Sequence, residues 1–278
     1  MLSSDETFVN FYECIDLSLV PKGTKKVASA LKINEKEGCT VMVTLDMLGN
    51  RVLPPLIVFS GNFGKTNMKR YRSVTKATIL FTKTHWMTVH CLKLYFKYLS
   101  LYYPGKKIGL VYDSAPTHLH SELKEWLTLW NQDVNKPCEF YVEFIEPSLT
   151  SVYQPPDVFF NKPLKQSLRK KYNEYVSYLS SKGSIKPGDN VPISREVLID
   201  FICTAFDEAN LKYKVNKEIS RSFERCGLNP FCDDDSIFQR HLNSLDENRL
   251  YESISSNQAP IVCGEIDAMI VKNNYLKP

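Results

Sequence analysis

Hydrophobic and polar residues follow two periods along this chain, one typical of strands and one typical of helices. The segment Glu37–Phe59 holds two β-rich apolar runs on either side of Gly49-Asn50, which predicts a hairpin. Between Trp86 and Tyr102 the apolar residues recur every three or four positions and a Pro-Gly pair follows, so we expect a core-facing helix. The short apolar run Lys106–Tyr112 is typical of a buried strand, and it ends at Asp113.

The second half of the chain continues this alternation and then becomes helical. Its predicted elements, in chain order, are a helix over Leu119–Trp130, a strand over Glu139–Ile145, a turn-rich loop over Pro147–Pro156, a helix from near Asp157 towards Tyr178 with a stop at Lys182-Gly183, and helices over Ser194–Ala209 and Lys217–Cys226. From about Asp233 onward the pattern is weak. This order of strands and helices predicts an α/β layer fold with a C-terminal helical extension.

Length and composition are those of an ordinary folded protein. The 278 residues suit one large domain, and 43% are hydrophobic while 24% are charged. The first residues lack the basic start and apolar core of a signal peptide, and no apolar run is long enough to span a membrane, so we expect a soluble protein. The eight cysteines lack zinc-like spacing, including the nearest pair Cys226 and Cys232, and we interpret them as reduced intracellular thiols.

Three aspartates stand in distinctive local contexts, and together they indicate a divalent-metal site. Asp5 lies in Asp-Glu-Thr, Asp113 follows the predicted buried strand, and Asp157 ends the run Gln-Pro-Pro-Asp. Converging carboxylates repel one another unless a hard cation such as Mg²⁺ or Mn²⁺ compensates their charge. Taken singly, each keeps an alternative: Asp5 as a surface or capping residue, and Asp157 as a helix N-cap.

Several polar residues near these aspartates are candidates for supporting roles. His118 follows Asp113 by five positions, and Asn161 shares the helix face of Asp157, so each is a candidate to position a phosphate or a water molecule. A purely structural role is the alternative for both. Thr150 and Gln154 are candidates to position backbone or DNA. We interpret the three tryptophans as core or helix-packing residues, with base stacking as the less favoured alternative: Trp86, Trp126 and Trp130.

The formal net charge of +4 is modest, but the basic residues are clustered. Lys65–Arg72 holds four of them and Lys162–Lys171 holds five, and the second run directly follows Asp157. Each run alone fits a solvated helix face, whereas beside a carboxylate site it favours contact with nucleic acid. The candidate DNA-binding residues are Lys162, Lys165, Arg169 and Lys170.

Five segments, in this order and spacing, carry a resemblance to a known family. They are Asp5-Glu6-Thr7, Gly38–Gly61 with its Leu-Pro-Pro-Leu-Ile-Val-Phe core, Val111–His118, Thr150–Asp157 followed by Asn161–Lys165, and Ser222–Pro230. Together they resemble the DDE superfamily endonuclease domain of pogo-, Tigger- and jerky-type transposases, which is related to centromere-binding protein B. The chain departs from the family pattern at Ser114 and Pro156, and we expect no counterpart of the family's N-terminal helix-turn-helix region within these 278 residues.

The resemblance implies a ribonuclease-H-like mixed sheet flanked by helices and a triad of Asp5, Asp113 and Asp157 that serves both as catalytic group and as ligand of two Mg²⁺ or Mn²⁺ ions. In such enzymes the metals activate water to nick DNA, and the liberated 3′ hydroxyl then attacks target DNA. It also implies a nuclear location. On this basis we expect a catalytic core over residues 1–180, a helical part of the same domain over 181–232, and a weakly patterned tail over 233–278.

Two other functions remain open from the sequence. One is a domesticated DNA-binding or scaffold protein that keeps the fold without cleavage, and the other is a ribonuclease-H-like nuclease that acts on RNA or a hybrid. DNA is the expected partner in the leading interpretation, with no membrane and no small-molecule cofactor, and homo-oligomerisation is left open.

Overall fold

A computed structural model describes residues 1–11, 38–62, 69–71, 73–185, 191 and 193–245. Its strands are β1 (Leu2–Asn10), β2 (Gly38–Asp46), β3 (Arg51–Val52), β4 (Leu56–Ser60), β5 (Thr78–Thr82), β6 (Lys107–Asp113) and β7 (Glu139–Ile145). Its helices are α1 (Val89–Ser100), α2 (Ser121–Gln132), α3 (Thr150–Tyr153), α4 (Asn161–Ser181), α5 (Arg195–Lys214), α6 (Glu218–Arg225) and α7 (Asp235–Ser244), and a π-helical turn (Pro156–Phe160) joins α3 to α4.

The seven strands form one mixed sheet. Six of them follow the order β5-β4-β2-β1-β6-β7, and β3 pairs with β2. The pairs β1/β2 and β2/β4 are antiparallel, whereas β1/β6, β6/β7 and β4/β5 are parallel. An antiparallel meander joined through its first strand to a parallel pair is the ribonuclease-H-like arrangement. The predicted fold class is therefore confirmed.

Helices cover the sheet on both faces, so all nine residues of β2 are buried. Successive side chains of a strand point to opposite faces, and two hydrophobic clusters result. On one face Val41 and Val43 pack with residues of α4, α5 and α6. On the other face Met42 packs with residues of α1. The helices that follow α4 thus share a core with the sheet.

Most predicted elements lie where the sequence pattern indicates. The strand Glu139–Ile145 has the predicted bounds, and Gly49-Asn50 joins β2 to β3 as a hairpin. The predicted stop after α4 is present, because Gly183 adopts a left-handed φ of 70° and its N–H donates to Ser180 O at 2.9 Å.

Three elements do not stand out in the sequence pattern. The edge strand β5 contributes a single buried residue, Leu80, so it carries little periodic signal. The four-residue α3 lies within the predicted turn-rich loop, and it is too short to show a helical period. Helix α7 has no fully buried residue, and it falls in the segment after Asp233 where the pattern is weak.

The tryptophans divide into two groups. Trp126 and Trp130 are partly buried against the hydrophobic cluster on the α1 face, as predicted. Trp86 is 66% exposed, so its interpretation as a core residue is wrong. The reason is that α1 begins only at Val89, which leaves Trp86 in the connection that precedes the helix.

Among the cysteines of the described ranges, only Cys232 is not buried. Over those same ranges, no helix has the length and apolarity that a membrane span requires. Several residues considered in the sequence lie outside the described residues: Cys14, Lys65, Arg72, Cys263 and the tail after residue 245.

Candidate active site

The parallel pairing of β1 with β6 places two of the aspartates side by side. Ser3 pairs with Val111, and this register continued by two residues sets Asp5 opposite Asp113. Residues in register on neighbouring strands project to the same face of a sheet. Asp5 is buried within β1, whereas Asp113 is the last residue of β6 and is partly exposed.

The third aspartate approaches Asp5 from the π-helical turn. Gln154 is fully buried, and its Nε2 donates to Ser4 O and to Asp5 Oδ1, each at 3.1 Å, which ties the loop to β1. The turn then begins at Pro156, and Asp157 lies in its first positions. A carboxylate at the N-terminus of a helical segment is favoured by the helix dipole.

Asn161 links the two carboxylates directly. Its Nδ2 donates to Asp5 Oδ2 at 2.5 Å and to Asp157 Oδ1 at 2.9 Å. Both carboxylates therefore reach the same atom. The four-residue spacing of Asp157 and Asn161 places them on one helix face, as the sequence predicts.

His118 joins Asp113 to a fourth acidic residue, Glu6. Its Nδ1 contacts Asp113 Oδ1, and its Nε2 lies 2.9 Å from Glu6 Oε1. The imidazole stacks on Tyr112 with ring centroids 3.9 Å apart, and the side chain is 1% exposed. This packing fixes the ring between the two carboxylates.

The pKa values of Asp5 and His118 are raised in this cluster, whereas the pKa of Asp113 is lowered. Burial, and next the charge of Asp157, raise the pKa of Asp5 well above its usual range. Burial alone would lower the pKa of His118, but its hydrogen bonds to Asp113 and Glu6 outweigh that effect and raise it to about 10. Burial would raise the pKa of Asp113, yet the hydrogen bond and positive charge of His118 bring it below the usual value. At neutral pH His118 is therefore a cation beside an ionised Asp113.

The oxygen atoms of this cluster suit a hard divalent cation. Carboxylate and amide oxygens are the ligands that Mg²⁺ and Mn²⁺ prefer. Two buried amide oxygens, Asn161 Oδ1 and Gln154 Oε1, have no hydrogen-bond partner among the described residues. Burial, and after it the negative charge of Asp157, raises the pKa of Asp5. Across the described part of the chain, no group of three or more acidic, histidine or cysteine side chains is already arranged to bind a metal ion. One physical reason is that the Asn161 amide and the His118 ring each occupy space between two carboxylates.

The sequence-predicted residues thus fall into two groups in space. Asp5, Asp113, Asp157, His118 and Asn161 come together at the carboxyl end of β6. The basic candidates lie on α4, directly after this cluster. Thr150 begins α3 and is half-buried.

One face of α4 carries three of the basic candidates, because Lys165 and Arg169 follow Lys162 by three and seven residues. Lys162 is exposed, and Lys165 and Arg169 are half-buried. Lys170 lies at the flank of that face and forms a 3.9 Å pair with Glu174.

Sequence reasoning did not single out Glu6, which bonds His118. Glu6 could have been noticed because it directly follows Asp5 in the sequence. Neighbouring residues of a strand point to opposite faces, however, so the sequence alone gives no reason to place Glu6 near the aspartates. Only the position of His118 at the end of the sheet, within reach of both faces, brings Glu6 into the cluster.

The chain is similar to known proteins in sequence and in structure. The model of the family "DDE superfamily endonuclease" matches residues 36–212, which is more than half of the chain. The match includes Asp113, Asp157 and Asn161, whereas Asp5 precedes it. Among solved structures the chain is similar to the Mos1 transposase paired-end complex with left transposon end, at 15% identity and a TM-score of 0.35. That similarity covers 80% of this chain and 55% of the other, so the chain spans little more than half of that relative's length. No curated protein matches the chain.

Proposed function

The chain belongs to the DDE superfamily endonuclease family, and from that premise we propose that it cleaves and joins DNA strands by metal-dependent phosphoryl transfer at Asp5, Asp113 and Asp157. The observation that carries the proposal is the meeting of Asp5 and Asp157 at a single amide nitrogen, with Asp113 in register beside Asp5. The pogo-, Tigger- and jerky-type transposases are the proposed subtype.

The proposed cofactor is a pair of Mg²⁺ or Mn²⁺ ions. When bound, such a pair activates a water or hydroxyl nucleophile and compensates charge on the leaving oxygen. Asp5, Asp113 and Asp157 would hold these ions through their carboxylate oxygens. Burial of Asp5 in β1 fixes the strand side of the site, while Asp157 approaches from the helical side.

His118 has a positioning role in this proposal. Its contact with Asp113 holds that carboxylate in one orientation, and its positive charge keeps Asp113 ionised at neutral pH. A metal ligand must be deprotonated, so both effects favour cation binding. Stacking on Tyr112 restricts the ring to this orientation.

DNA is the proposed partner, and the basic face of α4 is its proposed contact. Lys162, Lys165 and Arg169 extend from the acidic cluster along the helix, where they would neutralise phosphates next to the scissile bond. We further propose a nuclear location. The proposed domain limits are residues 1–180 for the catalytic core, 181–232 for its helical part and 233–278 for the tail.

A plasmid-nicking assay tests the catalytic assignment. We expect the purified protein to nick supercoiled DNA in the presence of Mn²⁺, and we expect EDTA to abolish this nicking. Asp113→Asn should reduce the nicking rate at least about 100-fold, because metal coordination provides several kcal/mol of transition-state stabilisation. Asp200→Asn, an exposed aspartate on α5, is the matched control and should nick normally.

Equal nicking by Asp113→Asn and the unchanged protein would refute the assignment. Salt-dependent DNA binding that ignores EDTA, with no nicking under any condition, would instead support the non-cleaving DNA-binding protein left open by the sequence.

A further inference from the structure

The amide of Asn161 occupies the position at which a cation would meet Asp5 and Asp157. Its Nδ2 lies 2.5 Å from one carboxylate and 2.9 Å from the other, and the residue is only 8% exposed. Two carboxylates that share one donor need positive charge between them, and a neutral NH₂ group provides only a partial charge.

The other half of the same amide is left without a partner. Asn161 Oδ1 is buried and has no hydrogen-bond partner among the described residues. A buried amide oxygen without a partner is costly, so a native site that keeps one usually has a use for it.

Rotation of the amide by half a turn exchanges these two atoms. The nitrogen and oxygen of an asparagine amide are nearly equal in size, so the exchange needs little change in packing. With Oδ1 facing Asp5 and Asp157, three oxygens would converge on one point. Such an arrangement is repulsive in the absence of a cation and suits one that is bound.

We propose that Asn161 is a ligand, through Oδ1, of the cation held by Asp5 and Asp157, and that its amide turns over when the metal binds. In the metal-free protein the NH₂ group keeps the two carboxylates together, and in the metal-bound protein the oxygen coordinates. This inference rests on the proposed function, and it adds an uncharged ligand to the three aspartates.

Titration of Mn²⁺ by calorimetry separates this role from that of a hydrogen-bond donor alone. Asn161→Leu keeps the branched shape of the side chain and removes both amide atoms, and we expect Mn²⁺ to bind at least about tenfold more weakly. A residue that only donates competes with the cation, so its removal would leave Mn²⁺ affinity unchanged or increase it. Asn243→Leu, on an exposed part of α7, is the control and should bind as the unchanged protein does.

A second pair of variants keeps the test decisive if the leucine variant does not fold. Asn161→Ala makes the same comparison with less steric demand, and Asn161→Asp restores an oxygen. In EDTA, Asn161→Asp should melt at a lower temperature than the unchanged protein, because a third carboxylate then lies beside Asp5 and Asp157. Addition of Mn²⁺ should raise the melting temperature of this variant more than that of the unchanged protein. Weaker binding by the leucine or alanine variant together with this larger shift supports the proposal.

Two results overturn the proposal, and they are distinguishable. Equal or tighter Mn²⁺ binding by the leucine and alanine variants, with normal binding by the unchanged protein, removes Asn161 from the ligands and leaves the proposed function intact. Absence of Mn²⁺ binding in the unchanged protein, with and without DNA, overturns both.

A different observation, a row of aromatic rings, carries a second inference. The His85 ring lies between Phe8 and Trp86, with centroid separations of 5.0 Å and 5.3 Å. Trp86 closes the row towards solvent and is 66% exposed. Such an exposed indole presents a flat face on which another ring can stack.

Strain in the backbone indicates that this row is a built feature. His85 adopts a left-handed φ of 61°, which is unfavourable for a residue with a Cβ atom, and its Nδ1 is buried without a partner. The hydroxyl of Thr82 donates to Trp86 O at 3.2 Å and fixes the connection after β5.

The topology places this row at the edge of the sheet where the acidic cluster lies. Strand β5 is parallel to β4, and two antiparallel pairings relate β4 to β1, so β5 and β6 end at the same edge. Phe8 follows Glu6 by two residues and shares its face of β1.

We infer that Trp86 stacks on an unpaired base of a DNA strand bound at the acidic cluster. Stacking on an aromatic side chain tolerates any base, and it suits a strand whose bases are exposed near a cleavage point. This inference also rests on the proposed function.

Anisotropy of a fluorescein-labelled single-stranded 20-mer tests the stacking role. Trp86→Ala should weaken binding about tenfold, whereas Trp86→Phe, which keeps a ring, should stay close to the unchanged protein. The slope of affinity against salt should not change, because no phosphate contact is lost. Leu129→Ala is a matched control, since Leu129 on α2 is also 66% exposed. Unchanged affinity in Trp86→Ala, or a loss equal to that of Leu129→Ala, would overturn the inference.

Discussion

At the level of single residues, His118 determines the arrangement of two acidic side chains. It bonds Asp113 through one ring nitrogen and Glu6 through the other, and the hydrogen bonds raise the pKa of the imidazole to about 10. A histidine five residues after an aspartate could be recognised from the sequence as a candidate. Its second partner could not, because Glu6 is on another strand and faces the opposite side of β1 from Asp5.

Removal of His118 should therefore destabilise the metal-free protein. His118→Ala takes the donor from two carboxylates and the ring from Tyr112, and we expect a loss of about 2–3 kcal/mol in the free energy of unfolding. Urea denaturation in EDTA measures it. His90→Ala, an exposed histidine on α1, is the control, and equal stability of the two variants would contradict the role given to His118.

At the level of elements, the π-helical turn holds the third aspartate, and α4, which follows it directly, carries the basic face. The helical pattern from Asp157 to Lys182 predicts this helix and its end correctly. The pattern does not predict that the first turn is π-helical, because the backbone there is set by contacts of Gln154 and Asn161 with β1. The local sequence pattern does not indicate such long-range contacts.

The basic face gives a prediction about salt dependence. In the double variant Lys162→Ala and Lys165→Ala, the slope of log affinity for duplex DNA against log salt should decrease by about 2, since each phosphate contact contributes about 0.9. Lys171→Ala is the control, because Lys171 lies on the other side of α4 and pairs with Glu208 at 2.7 Å. If the double variant and the unchanged protein have the same slope, this face does not contact DNA.

At the level of the whole molecule, one sheet holds the core and the site together. The strands β2, β6 and β7 could be predicted because they are short, mostly apolar runs. The edge strand β5 could not, since its single buried residue leaves no pattern. Trp86 was misassigned for a related reason, because the apolar period alone does not specify where α1 begins.

The shared core predicts that the sheet and the later helices unfold together. Ile202 of α5 is fully buried in the cluster that also contains β2, so Ile202→Ala should cost about 2–5 kcal/mol and lower the midpoint of a single transition. Leu211→Ala, on the same helix but 76% exposed, should have little effect. Separate melting of helices in Ile202→Ala, before the sheet, would show that residues 181–232 do not belong to the same cooperative unit.

The central claim is that Asp5, Asp113 and Asp157 form one divalent-metal site, and calorimetric titration of Mn²⁺ tests it most directly. We predict that the unchanged protein binds Mn²⁺ and that Asp113→Asn and Asp157→Asn each weaken binding at least about tenfold, with the fold retained in both because these two aspartates are the more exposed members of the cluster. Equal Mn²⁺ binding by the unchanged protein and both variants, in the presence and absence of DNA, would contradict the claim.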